Sequence, residues 1–155
     1  MFTAKRLLFF VFLSITMLAA CSNKQEANWE ESEFFDVGMY KMIGTENKIG
    51  FIYNPDHLLF VENQVNKYMW HIWANKEELQ GDFKVLASSE DKPDEKIEIL
   101  NLKSEFDYLS PNNEATTHIP SQMILPESGM WKLETYINDQ LFDEIYVKVW
   151  KEEEA

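Results

Sequence analysis

Two patterns of apolar and polar positions divide the chain. Near its start, residues 7–17 (LLFFVFLSITM) form an apolar run without a charge, preceded by Lys5 and Arg6. From Phe34 onward, short apolar or alternating segments are separated by turn residues, which predicts an all-β domain. Residues 37–43 and 49–53 read as strands joined through 44–48, and Asn54-Pro55-Asp56 closes the second with turn chemistry. Residues 68–74 (YMWHIWA) put Tyr68, Trp70 and Ile72 on one face and Met69, His71 and Trp73 on the other. Apolar groups on both faces predict a central strand. Residues 83–87 and the alternation around Ile97 and Ile99 predict a hairpin turning through residues 90–94 (EDKPD). The one helical candidate, residues 75–79 (NKEEL), is a single turn.

The C-terminal third carries the strongest fold signal. Ile119-Pro120-Ser121 leads into Met123-Ile124-Leu125, and Pro126-Glu127-Ser128-Gly129 precedes a strand over residues 130–137 in which Trp131, Leu133, Thr135 and Ile137 share a face. Asn138-Asp139 turns the chain into residues 142–149, with Ile145, Val147 and Val149 inward and Tyr146 and Lys148 outward. This series resembles the closing strands of immunoglobulin-like domains, so the expectation is an antiparallel β-sandwich of two sheets packed face to face.

The leading apolar run is too short to cross a hydrocarbon core comfortably, which takes ~20 apolar residues. With its basic start it has the anatomy of a cleaved signal peptide. It ends in Leu18-Ala19-Ala20-Cys21, which resembles the lipobox of bacterial lipoproteins. That resemblance implies a diacylglyceryl group on the Cys21 sulfur, cleavage between Ala20 and Cys21, and retention by acyl chains of the palmitate class on the outer face of the cytoplasmic membrane. The organisation expected is a signal peptide over 1–20, a lipidated cysteine and acidic tether over 21–33, a sandwich over 34–150 and an acidic tail over 151–155.

Cys21 is the only cysteine, so the exported domain must hold together without an internal disulfide. The formal net charge is -13, and removing Lys5 and Arg6 with the signal peptide makes it -15. Such a surface repels phosphate backbones and anionic headgroups, which argues against nucleic-acid partners and keeps an extracytoplasmic domain soluble.

The segments GTENKIGFI, NKYMWHIWANKEELQGDFKV and IPSQMILPESGMWKLETYINDQLFDEIYVKV resemble those of bacillar, Gram-positive lipoproteins with an immunoglobulin-like domain of unknown function. The resemblance spans most of residues 38–149 and implies a cell-surface sandwich; it transfers no active site.

Candidate chemistry is sparse. The three histidines, His57, His71 and His118, are isolated in sequence. Met69, His71, His118 and Met123 could supply thioether and imidazole ligands to copper, whereas such residues more often pack or hydrogen-bond. The acidic loops holding Glu90, Asp91, Asp94 and Glu95, and Asn112, Asn113 and Glu114, could donate oxygens to calcium but match no calcium-loop spacing. Neighbours Glu77-Glu78 and Asp143-Glu144 point to opposite faces of any strand, which disfavours paired acid and base roles. No nucleophile elbow is present. The reading is a noncatalytic module that needs no cofactor and binds or scaffolds an envelope protein or peptide, with ion binding as the alternative. Trp73, Tyr136 and Tyr146 are aromatic candidates for its contact face.

Overall fold

The computed structural model describes residues 29–103 and 110–154. The signal segment and the Ala20–Cys21 junction lie outside them. In chain order the strands are β1 (Phe34–Val37), β2 (Tyr40–Thr45), β3 (Ile49–Ile52), β4 (Phe60–Val61), β5 (Asn66–Ile72), β6 (Phe83–Ser89), β7 (Lys92–Leu102), β8 (Thr117–Met123), β9 (Gly129–Ile137) and β10 (Gln140–Trp150). They form two five-stranded sheets, ordered β1-β2-β3-β5-β8 and β4-β10-β9-β6-β7. The first is wholly antiparallel; in the second, β4 alone runs parallel to its neighbour, β10. This is the all-β sandwich expected, consistent with the immunoglobulin-like class. Among the described residues no helix is long and apolar enough to cross a membrane.

Alternation builds the core. Tyr68, Trp70 and Ile72 of β5 and Ile119 of β8 point inward, opposed by Phe83, Val85 and Ala87 of β6, Trp131 and Leu133 of β9, and Ile145, Val147 and Val149 of β10. Phe51 packs 4.7 Å from Trp70 between ring centroids, and Phe60 stacks on Tyr68 at 4.3 Å. Each such aromatic pair adds about 0.5–1.5 kcal/mol beyond the area it buries. The buried indole needs a polar partner, and Trp70 Nε1–H donates to Ser121 Oγ at 3.0 Å while that hydroxyl donates to the Tyr68 carbonyl at 3.3 Å.

Several expected boundaries shift. Residues 37–43 are not one strand: Gly38, at φ 61, turns the chain so that Val37 pairs with Tyr40 and two strands result. Lys92 and Pro93 belong to β7, because the hairpin turns tightly at Glu90-Asp91 and Ser89 already pairs with Lys92. Ile119-Pro120-Ser121 lies inside β8. Both prolines are tolerated because β7 and β8 are edge strands, where a missing N–H need not face a neighbour. Asn138 and Asp139, at φ 49 and 60, form the expected tight turn between β9 and β10. Residues 75–79 make a single turn, in which Glu78 N–H and Leu79 N–H donate to the Asn75 carbonyl and the Glu78 carboxylate accepts from Asn75 N–H.

The ordered domain also begins before Phe34. Ser32 exchanges two hydrogen bonds with Tyr146 of β10, each 2.9 Å, and the Trp29 ring meets that of Tyr146 edge-on at 5.5 Å. Residues 29–32, expected in the tether, therefore lie along β10 of the second sheet, and the Glu33 carbonyl accepts from Gly44 N–H of β2 in the first.

Candidate functional site

His71 on β5 sits directly opposite His118 on β8. Met69 and His71 are two residues apart and share the outer face of the first sheet, turned away from Trp70. The two imidazole centroids are 6.5 Å apart and the rings are tilted by 33°. Although it is on the outer face, His71 is fully buried. Trp73 stacks against it at 6.2 Å, and Asn113, held at φ 47 in the turn that Asn112 and Ala115 close, donates its amide to His71 Nε2 at 3.1 Å. His71 Nδ1–H donates to the Met69 carbonyl at 3.2 Å. Burial pushes the His71 pKa down; the Met69 carbonyl partly offsets this, and His118 adds to the lowering. His71 is thus a neutral ring with both nitrogens engaged. His118 donates Nδ1–H to the Ser110 carbonyl at 2.7 Å.

The four residues suggested for copper are not brought together. Met123 is five positions beyond His118 on the same strand, so it faces the core, where it is 1% exposed, while the other three lie on the outer side. The outer set also lacks an open imidazole nitrogen on His71. His57 is exposed in the turn that follows Asn54. In the acidic loops, Lys92 bonds Glu127 at 2.8 Å and lies near Asp91 and Glu95, and Asn113 is committed to His71. Among the described residues no three His, Cys, Asp or Glu side chains are grouped to hold a metal ion.

Next to Met69 the surface opens into an apolar groove of about 680 Å³. Its walls come from both sheets: Ile52, Met69 and Pro120 from the first, Leu100 and Leu102 from β7 of the second, with Leu58 from the connection between β3 and β4. Lys67 and Gln122 supply side-chain polarity at its edge. The groove forms where β7 and β8, the edge strands of the two sheets, approach each other. Its volume lies within the ~300–1,000 Å³ typical of small-molecule sites.

The acidic neighbours do not converge on a cleft. Glu77 and Glu78 are exposed, Asp143 pairs with Lys48 at 3.4 Å, and Glu144 pairs with Lys132 at 3.3 Å. A polar cluster the sequence reading did not single out lies on the outer face of β9. Glu134, 5% exposed, bonds Lys132 at 2.8 Å, Lys96 at 2.5 Å and the Tyr136 hydroxyl at 2.9 Å. Burial raises the carboxyl pKa, but the hydrogen bonds from Lys132, Lys96 and Tyr136 together outweigh it and hold the group below its ordinary value. The signal was available: Lys132, Glu134 and Tyr136 fall at every second position of a strand. Of the aromatic candidates, Trp73, Tyr136 and Tyr146 are all half-buried on outer faces.

The model of a family described as Domain of unknown function (DUF4871) matches residues 20–147. The chain belongs to this family. The DUF4871 match takes in Cys21, the whole of the first sheet and most of the second. A crystal structure described as a "Putative Lipoprotein from Bacillus anthracis" shares the fold, with a TM-score of 0.60 and 22% identity, covering 84% of this chain and 92% of that one. A superoxide reductase (neelaredoxin) from Ignicoccus hospitalis T24K aligns at a TM-score of 0.43 and 12% identity over 66% of this chain and 80% of that one, a likeness too distant to bear on chemistry. No curated protein matches the sequence.

Proposed function

We propose that this DUF4871 chain is a lipoprotein anchored through Cys21 on the outer face of the cytoplasmic membrane, and that its sandwich is a noncatalytic binding or scaffolding module for an envelope component. The observation that carries the anchor is the sequence Leu18-Ala19-Ala20-Cys21 placed directly behind a short apolar run with a basic start. The fold likeness to a protein itself described as a lipoprotein supports it. Two acyl chains on one cysteine, at about 0.8 kcal/mol per buried methylene, make such anchoring stable.

The binding role is supported by the groove at the β7–β8 edge, an apolar concavity with few polar groups, the usual make-up of a small-molecule site. The catalytic alternatives are weaker: His71 is sealed by Asn113 and Met69, and Glu134 is saturated by two lysines and a tyrosine. The test is fractionation of cells expressing the full chain or its Cys21→Ser variant, with chemical crosslinking on the intact cells. The parent chain is expected in the membrane fraction with reproducible crosslinked neighbours, and the variant in the medium or soluble fraction. Equal membrane retention of both would overturn the anchor. Crosslinking no different from that of an unrelated anchored protein would overturn the scaffolding of an envelope protein.

A further inference from the structure

We propose that the groove at the β7–β8 edge binds a long-chain fatty acid, its hydrocarbon lying against Ile52, Met69, Leu100, Leu102 and Pro120 and its carboxylate meeting the ammonium of Lys67. The proposal rests on the binding role above and names its ligand class.

Three observations select this occupant. The groove is lined mainly by apolar side chains, and both hydroxyls among its lining residues are already committed, that of Ser121 to Trp70 and the Tyr68 carbonyl and that of Tyr68 to the Leu59 carbonyl. A peptide laid along β8 would need backbone partners there, and Pro120 has no N–H to offer. A hydrocarbon chain needs none.

Charge fixes the other end of the ligand. Lys41, Lys48, Lys84, Lys92, Lys96, Lys103 and Lys132 each bond a carboxylate of this strongly acidic chain. Among the described residues Lys67 has no such partner, yet it is the cation that lines the groove. A cationic amphiphile would meet that ammonium unfavourably, whereas a carboxylate would complement it.

The test uses the mature chain, residues 21–155, carrying Cys21→Ser so that no detergent or acyl anchor competes. Fluorescent cis-parinarate is titrated and then displaced with palmitate, laurate, methyl palmitate or hexadecyltrimethylammonium. Saturable binding is expected, with palmitate a better competitor than laurate by up to about fourfold for each additional buried methylene. Lys67→Glu, a change at an exposed position, is expected to weaken palmitate by about fivefold or more, and Lys67→Arg to retain it. Absence of saturable binding would overturn the proposal. So would equal competition by hexadecyltrimethylammonium, parent-like affinity in Lys67→Glu, or a dimer in sedimentation whose groove palmitate cannot enter. Because the anchor is absent from every arm, failure here leaves Cys21 lipidation untouched, and soluble behaviour of the parent in cells would leave this result untouched.

Discussion

His71 and His118 face each other across β5 and β8 with ring centroids 6.5 Å apart, yet only His71 is buried. Its pKa lies below the ordinary value of 6.5, first because burial penalises the cation, with the Met69 carbonyl opposing and His118 reinforcing. The unfolded chain therefore takes up a proton more readily than the folded one. The stability tied to neutral His71 is full above about 6.5 and is lost as pH falls through the lowered folded value. Melting temperature should drop as pH falls below about 6.5, and the drop should be smaller in His71→Gln. An identical pH slope in that variant would contradict the assignment.

Glu134 titrates in the same direction for a different reason. Burial works against its charge, but Lys132, Lys96 and Tyr136 prevail, so its stabilising contribution is present above the ordinary carboxylate range and is lost as acid protonates the folded group. Glu134→Gln leaves Lys132 facing Glu144 alone and removes the partner of Lys96. A loss of roughly 3 kcal/mol in denaturant unfolding is expected, at the lower end for breaking a buried ion pair because Lys96 is partly exposed. A change near zero would mean that water replaces the cluster without cost.

Gly44 has a sharper constraint. Its φ is +142, and a Cβ there would fall 2.3 Å from the Ile49 carbonyl oxygen and 2.8 Å from Gly50 Cα, both backbone atoms of the paired strand. Gly44→Ala must push β2 and β3 apart and should cost about 3 kcal/mol or more, measured by chemical unfolding. Parent-like stability would show that the strands shift freely.

The Trp70–Ser121 bond joins adjacent strands inside the core. Ser121→Ala strands the indole N–H and should destabilise by about 1–3 kcal/mol. Trp70→Phe costs more, through lost volume, but the double variant should fall short of the sum because the shared bond is removed only once. Strict additivity in unfolding experiments would contradict the coupling.

Much of the sandwich was legible in the sequence because period-two alternation is local. Trp131, Leu133, Thr135 and Ile137 are all buried as one face, and the Asn138-Asp139 turn carries its own conformational preference. Boundaries at Gly38, Pro93 and Pro120 were less legible, since a proline ends a strand or rides on its edge according to which strand pairs beside it. That pairing is a tertiary fact. The same limit separated Met123 from His118: strand parity puts them on opposite faces, but only once residues 117–123 are known to form one strand. The groove was hidden for a related reason. Met69 and Leu100 are brought to one concavity by the packing of two sheets, which no local pattern records. Lys67, an ordinary strand lysine in the sequence, acquires meaning only beside them.

The proposed lipid anchor at Cys21 is decided by the intact mass and N-terminal peptide of the protein extracted from membranes. The expected result is a chain beginning at residue 21, with a diacylglyceryl thioether on Cys21 that disappears in Cys21→Ser. A membrane-extracted chain that begins elsewhere, or that carries an unmodified Cys21 thiol, would contradict it.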